Sequence, residues 1–386
     1  MKKLLILILA LCLVFVGALA WLQNSAGTEL PAPEQSAETE EPAQSAQPRV
    51  DFEALYKAYP AETLYAKVGE REITWGEYYE WLGGYILSTE SSMDYMQSYY
   101  GITDGWDAEY AEGVSLAEAT LLELNDNFLT MTATEAYAAS KGVSVGAEEL
   151  EAERAEYIQS YLGEGATEED WAALLKSYFL TDTQFRAQLK ADLLLTRVQE
   201  DCYGLNGETL SAARLQRFLE DYDLICCSYL VFLTVDPQTL APLESDAAAE
   251  IIEKAEAAAA ELQAVSGSPS RIARFKELAA ELQAEDERVY CVEDLVFQRG
   301  AAADVIETGC AGLGEGEVSA LQSDQYGYYL FIRLPITAET MLDDGSLIGA
   351  VAARSTVLGE RDELAEGMEF AYAAGVAPVD LLDYLK

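Results

Sequence analysis

The chain has 386 residues, half of them apolar, and its 24 basic and 68 acidic residues give a formal net charge of −44. This charge argues against binding to nucleic acid or to anionic lipid headgroups, because both surfaces would repel it. The chain contains no histidine, which excludes Ser-His-Asp triads, Cys-His dyads and histidine-ligated zinc. Acid–base chemistry near neutral pH would therefore have to use carboxylates, Tyr, Lys or Cys.

The cysteines and carboxylates of the sequence predict neither a metal site nor a cofactor. None of the six cysteines lies in a Cys-x-x-Cys pair. Cys12 lies in an N-terminal apolar run, and the others are odd in number, so they cannot form a complete set of disulfides. Most are therefore interpreted as small buried thiols. Carboxylate pairs such as Asp343–Asp344 lack the spacing of a calcium loop.

The N-terminus predicts export across a membrane. Lys2 and Lys3 precede an uncharged apolar run over 4–22, an order that places the N-terminus inside and the remaining chain outside. Ala18–Ala20 has the form of a signal-peptidase site, whereas the whole run is just long enough for an uncleaved anchor, the favoured interpretation. Residues 1–23 are thus a signal peptide or a membrane anchor. Residues 24–63, rich in Pro, Glu, Ser, Ala and Gln, are predicted to be a disordered acidic linker.

Residues 64–222 are predicted to form a mostly helical domain. A short strand or hairpin over 65–73 leads into a helix that Thr74 and Glu77 would cap. Further helices are expected at about 116–140 and 148–161, and after Thr167, Thr181 and Thr209. Ten Trp and Tyr residues lie between Trp75 and Tyr110. They could fill an ordinary core, or they could line a cradle for unfolded chains, because large rings give adaptable apolar contacts with polar tips.

Three segments of this half resemble the N-terminal chaperone domain of the SurA and PrsA type. Val68–Glu77 resembles its strand–helix opening, 141–149 its break between helices, and Thr183–Lys190 its late helix. The resemblance covers roughly residues 64–222. It implies binding of unfolded or nascent exported proteins.

Residues 223–336 follow a different, α+β pattern. An apolar β-like run over 225–233 precedes a helical segment over 245–264 and a second helix that contains 275–282. Strand-like segments follow near 293–300 and 326–332, with a glycine-rich turn over 312–319 between them. The predicted fold class is α+β. In the tail, 337–386, a helix is expected over 347–374, and 376–385 is expected to pack back on the helical half.

This second half resembles a parvulin-type prolyl isomerase domain with a small antiparallel sheet. The matching segments are Phe275–Ala279, Phe297–Gly300, Leu313–Ser319 and Tyr326–Tyr328. Together with the first resemblance, they imply a PrsA-like extracytoplasmic foldase with no cofactor.

The sequence departs from the parvulin pattern at the positions of the family's catalytic residues. The resemblance places Tyr229 and Tyr329 where the family carries histidines, and Asp286, or its neighbour Glu285, near a third catalytic position. It assigns the proline pocket to apolar residues and implies a shallow pocket, because Ala302 replaces a larger residue. The other pocket residues are Leu295, Phe297 and Ile306.

Three functions remain open after these observations. The first is a chaperone at the outer face of the membrane that holds unfolded exported proteins, with a preference for basic clients. The second is a working isomerase, because lowering the barrier of about 20 kcal/mol to X-Pro rotation requires no bond breaking, and phenols can replace imidazoles in a hydrogen-bond network. The third is a tethered interaction module without chaperone activity.

Overall fold

The computed structural model describes residues 49–386, which divide into two compact units. The helical unit contains residues 49–201 and 357–386, and the sheet unit contains residues 202–356. The sequence predicted these boundaries at 222/223 and 336/337. The differences arise because residues 202–222 and 337–356 make their contacts within the sheet unit.

The helical unit is built from long helices, a three-stranded sheet and a separate two-stranded sheet. Its strands are β1 (Leu64–Val68), β2 (Arg71–Thr74), β3 (Glu109–Ala111), β4 (Val114–Ser115) and β9 (Phe370–Tyr372). Its helices are α1 (Phe52–Tyr56), α2 (Trp75–Tyr100), α3 (Leu116–Ser140), α4 (Ala147–Leu162), α5 (Glu168–Ser177) and α6 (Asp182–Tyr203), with a short 3₁₀ helix at Leu381–Tyr384. The main sheet has the order β2–β1–β9, and both pairs are antiparallel.

Local capping explains where these helices begin. The Thr74 hydroxyl accepts a hydrogen bond from the backbone N–H of Glu77 at the start of α2, over 3.3 Å. At α5 the side chains of Thr167 and Asp170 each accept from the other residue's backbone N–H, which is a complete capping box. The predicted starts at Thr74 and Thr167 are therefore confirmed.

The predicted disordered linker is wrong for residues 49–63. Asp51 caps α1, and Val50 and Leu55 are fully buried in the core of the helical unit. The C-terminal end of the chain provides the partner, because the backbone N–H of Asp51 donates to the carbonyl of Tyr384 over 2.7 Å. A contact across more than 300 residues is invisible to local composition. The predicted signal peptide or anchor over 1–23 and the linker over 24–48 lie outside the described residues.

The tail also departs from the predicted single helix. Helix α11 (Ile348–Glu366) ends before Gly367, and Phe370–Tyr372 then forms β9, antiparallel to β1. Val379 and Leu381 are buried in the core of the helical unit, and the Val379 N–H donates to the Tyr65 hydroxyl over 3.1 Å. Residues 370–385 therefore pack on the helical unit, as expected, but the element is a strand followed by a 3₁₀ turn.

The sheet unit places helices on both faces of a four-stranded antiparallel sheet. Its elements are α7 (Ala212–Asp221), β5 (Leu224–Leu233), α8 (Ser245–Ala264), α9 (Ser268–Glu285), β6 (Val289–Gln298), α10 (Asp304–Cys310), β7 (Gln322–Ser323), β8 (Gly327–Arg333) and the start of α11. The strand order is β6–β5–β8–β7. Side chains of α8 and α9 pack on one face, and α10 packs on the other. The predicted α+β fold class is confirmed.

Candidate functional site

The two predicted tyrosines lie on neighbouring central strands and on the same face of the sheet. Successive side chains of a strand alternate between faces, so Cys227 and Tyr229 of β5 face α10, as do Tyr329 and Phe331 of β8. Tyr229 pairs directly with Phe331 across the strands, and Val231 pairs with Tyr329. Tyr229 and Tyr329 are thus diagonal neighbours.

Three rings fill this position and are here called the three-ring cluster: Tyr229, Tyr329 and Phe331. The ring centroid of Tyr229 lies 5.0 Å from that of Phe331 and 6.4 Å from that of Tyr329, and the last two rings stack 6.2 Å apart. Phe331 is fully buried, Tyr329 is 8% exposed and Tyr229 is half-buried. The rings pack on one another and leave little of the Tyr329 surface accessible.

The hydroxyl of Tyr329 has a partner that the sequence did not indicate. It donates to Oδ2 of Asp324, while Oδ1 of the same carboxylate accepts from the backbone N–H groups of Tyr326 and Gly327 in the β7–β8 turn. Burial, and then the Asp324 hydrogen bond, raise the pKa of Tyr329 above its ordinary value, and burial also raises that of Tyr229. Both groups are neutral phenols at physiological pH. The sequence feature that could have indicated Asp324 as the partner is the Asp-x-x-Gly turn, which places a carboxylate beside the strand.

Two buried thiols lie in the same hydrophobic cluster. Cys227 and Cys310 are both buried in it. The neighbouring thiol of Cys310 and burial raise the pKa of Cys227, and burial raises the pKa of the adjacent Cys226 to about 12. All five cysteines of the described residues are free, and three of them are buried. Protonated thiols in such surroundings are poor nucleophiles.

The predicted proline-pocket residues are only partly brought together. Phe297 and Ile306 pack against the cluster of the two tyrosines, and Leu295 lies opposite Cys227 in the β5–β6 pairing, on the same face. Ala302 lies in the loop before α10, where its backbone N–H donates to Oε1 of Glu307 over 3.3 Å.

Asp286, the third predicted catalytic residue, has cationic partners and contacts neither tyrosine through a hydrogen bond. It ends α9 and forms ion pairs with Arg288 at 2.7 Å and with Lys254 of α8 at 2.5 Å. The helices α8 and α9 cover the opposite face of the sheet, so this carboxylate belongs to the helical layer. Glu285 is the exposed last residue of α9. The structure thus places Asp286 in an ion-pair network with two cations and does not include it in the cluster around Tyr229 and Tyr329.

The ten aromatic residues of the first half divide into core and surface. Trp75, Tyr78, Trp81 and Trp106 are buried in the helical unit. Three tyrosines at the C-terminal end of α2 are exposed and are here called the tyrosine patch: Tyr95 (45% exposed), Tyr99 (73%) and Tyr100 (52%). Their ring centroids lie 4.6 Å apart for Tyr95 and Tyr99 and 6.2 Å apart for Tyr95 and Tyr100. The buried rings fit the interpretation as core, and the binding of unfolded chains by the exposed rings stays a prediction.

Residues 49–386 contain neither a metal-binding cluster nor a helix suited to span a membrane. No group of three or more Cys, Asp or Glu side chains there could hold a metal ion. No helix of that part of the chain combines the length and the apolar character needed to cross a bilayer.

Comparison with known proteins gave matches only among solved structures. No protein-family model matches the chain, and no curated protein does. Similar solved structures include PrsA foldases and a SurA-like chaperone.

Three of these structures illustrate the level of similarity. PrsA from Bacillus subtilis is 18% identical, with 80% of this chain and 92% of that one covered and a TM-score of 0.21. PrsA from Bacillus cereus is 13% identical, with 80% and 86% covered and a TM-score of 0.23. A SurA-like chaperone from Campylobacter jejuni is 12% identical, with 81% and 100% covered and a TM-score of 0.22. TM-scores this low carry no argument about this chain.

Proposed function

We propose that this protein is an extracytoplasmic chaperone that holds unfolded exported proteins and keeps them from aggregating. The observation that carries the proposal is the tyrosine patch on α2, which exposes three large rings on a chain of net charge −44. Tyrosine rings offer apolar contact with little loss of side-chain freedom, and their hydroxyls remain hydrated. The charged surface keeps the chaperone and its complexes soluble.

In this proposal the sheet unit binds polypeptide without isomerising prolines. A prolyl isomerase needs an open apolar slot in which proline is gripped and its amide desolvated. Here the three-ring cluster occupies the face where the resemblance places that slot, and Tyr329 is only 8% exposed. The alternative, a weak isomerase that uses the phenols of Tyr229 and Tyr329, is favoured by the Tyr329–Asp324 hydrogen bond, which orients one phenol.

The membrane tether and the client preference complete the proposal. The N-terminal 1–23 segment would either anchor the protein or direct its export, so that its clients are nascent proteins leaving the cell interior. The negative charge favours basic clients. Equal suppression of aggregation for basic and acidic clients at low salt would contradict this preference.

The test is light scattering from a denatured client diluted into buffer with the full chain. The variant Tyr95→Ser/Tyr99→Ser/Tyr100→Ser is expected to lose most of the suppression. The matched control, Tyr161→Ser/Tyr222→Ser/Tyr290→Ser, removes three exposed tyrosines from three different elements of the chain and is expected to retain it. Equal activity of the two variants would remove the patch from the proposal. No suppression by the wild-type chain, together with binding to a single folded partner, would instead favour an interaction module.

A protease-coupled peptide assay at low temperature separates holding from isomerisation. The expected rate of cis–trans exchange equals the uncatalysed rate, which at 25 °C corresponds to tens of seconds or longer. Acceleration that disappears in Tyr329→Phe would establish the isomerase alternative.

A further inference from the structure

A cavity of about 200 Å³ lies within the helical unit, and no tyrosine of the tyrosine patch lines it. Its walls come from α2, α3, the connection 178–180 after α5, and the first turns of α6. The cavity is smaller than the roughly 300–1,000 Å³ of typical small-molecule pockets. It exceeds the volume of about 150 Å³ that accommodates a benzene ring in a protein interior. Its size therefore suits one long side chain of a polypeptide.

Two polar side chains of α3 line this cavity without a partner among residues 49–386. Glu123 and Asn127 are four residues apart and share one face of the helix. The Nδ2 atom of Asn127 is buried and donates no hydrogen bond to the described residues, and the half-buried Glu123 carboxylate has neither an ion pair nor a hydrogen bond there. Burial, and then the charge of Asp126, raise the pKa of Glu123. A buried polar group without a hydrogen-bond partner lowers the stability of the folded state. The unpaired state of these two side chains therefore requires an explanation.

Aromatic rings complete the lining of the cavity. Trp81 and Tyr85 contribute from α2, and Tyr178 contributes from the opposite wall. Burial raises the pKa of Tyr85, and the nearby charge of Glu123 raises it further. Aromatic rings beside a carboxylate attract a cation, because the negative face of each ring and the charge of the carboxylate both favour positive charge.

The opposite wall is held in place before any ligand binds. Phe179 adopts a left-handed φ of 59°, and a Cβ atom on Gly84 would approach its carbonyl oxygen to 2.6 Å, so the wall packs directly on the backbone of α2. Gln184 donates to the carbonyl of Glu80 over 3.0 Å, and the Thr181 hydroxyl donates to the Glu80 carboxylate over 2.8 Å. A cavity formed in advance reduces the ordering cost of binding.

We propose that this cavity binds a lysine or arginine side chain of an extended polypeptide. The Glu123 carboxylate accepts hydrogen bonds from the cation, the rings of Trp81, Tyr85 and Tyr178 surround its stem, and Asn127 Nδ2 donates to a backbone carbonyl beside it. The net charge of −44 opposes an anionic ligand. The proposal rests on the proposed chaperone function, since the polypeptide is an unfolded client, and it gives the preference for basic clients a specific site.

The experiment is calorimetric titration of the full chain with two short blocked peptides, one with a central lysine and one with norleucine in its place. Salt near 0.15 M shortens the Debye length to about 8 Å, which suppresses long-range attraction to the acidic surface. The lysine peptide is expected to bind at least tenfold more tightly. Glu123→Gln is expected to remove this difference, and Asn127→Leu is expected to weaken both peptides several-fold.

The matched control is Glu164→Gln, which removes the same charge from an exposed loop residue of the helical unit. It is expected to bind both peptides as the wild type does. Equal affinity for the two peptides, or an equal loss in Glu123→Gln and Glu164→Gln, would overturn the proposal. If the same preparation suppresses aggregation yet shows no lysine preference, the chaperone function stands and the cavity assignment fails. If it does neither, both fail.

Discussion

The hydroxyl of Tyr329 donates a hydrogen bond to Asp324, five residues earlier in the chain, with an oxygen–oxygen distance of 3.0 Å. The bond joins the central strand β8 to the turn that precedes it. It fixes one phenol of the three-ring cluster, and the other phenol, that of Tyr229, is held by ring packing. The hydrogen bond and the ring packing together explain why Tyr229 and Tyr329 are stable on this face of the sheet. This explanation does not require that either residue be catalytic.

Removing the hydroxyl of Tyr329 should lower the stability of the protein by a small but measurable amount. We expect Tyr329→Phe to lower the free energy of unfolding by about 1 kcal/mol, the typical net value of one hydrogen bond. Urea unfolding provides the measurement. Tyr326→Phe removes the hydroxyl of an exposed tyrosine in the same turn and should leave the stability unchanged. A loss in both variants would attribute the effect to the turn as a whole.

The ion-pair network of Asp286 should appear as acid sensitivity. Hydrogen bonds from Arg288 and then Lys254 hold the pKa of Asp286 well below its usual value, against the opposing effect of burial. The unfolded chain therefore binds this proton more readily, so the stabilisation is complete above about pH 4 and is lost as the pH falls toward the folded-state pKa. The exposed Glu250 also faces Lys254 and Arg288.

Asp286→Asn should lower the unfolding free energy at pH 7 by about 3 kcal/mol, because two cations lose a buried partner. It should also flatten the decline of stability between about pH 4 and lower pH. Urea titrations of both proteins across that range test the prediction. Parallel curves for the two proteins would contradict the assignment.

Replacing Gly309 of α10 by a larger residue should destabilise the protein, because the Phe331 ring packs against this glycine. A Cβ atom there would lie 2.3 Å from the Phe331 ring, whereas nothing lies within 4 Å of one added at Gly312. We expect Gly309→Ala to destabilise the sheet unit by about 1–3 kcal/mol through overpacking, despite the gain in helix propensity. Gly312→Ala should be near neutral. Thermal unfolding of the two variants provides the comparison, and similar melting temperatures would count against this packing.

Gly83 and Gly84 are adjacent in α2 and should respond in opposite directions. A Cβ atom on Gly83 makes an ordinary contact of 3.9 Å with Phe52, whereas one on Gly84 meets the Phe179 carbonyl oxygen at 2.6 Å. Gly83→Ala is expected to stabilise the chain by about 1 kcal/mol through helix propensity, and Gly84→Ala to destabilise it. Chemical unfolding of the two variants measures these opposite changes in stability. Stabilisation by both changes would show that the cavity wall is mobile.

Elements whose signals are local could be predicted from the sequence. Helices α3 and α8 have the bounds expected from periodicity and capping, Leu116–Ser140 and Ser245–Ala264. Strand β9 was predicted as helix, because its β character depends on pairing with β1, some 300 residues earlier. The ion pair of Asp286 with Lys254 was not predicted for a similar reason, since Lys254 lies on another helix.

The sequence by itself determined which chemistry is unavailable, through the absence of histidine and the net charge of −44, and it determined the α+β class, because periodicity and capping act over a few residues. Only the tertiary structure decided which rings are core and which are surface, that the Tyr229–Tyr329 face is filled, and that Glu123 and Asn127 share a cavity. These properties depend on burial, and burial is created by contacts between residues that are distant in the chain.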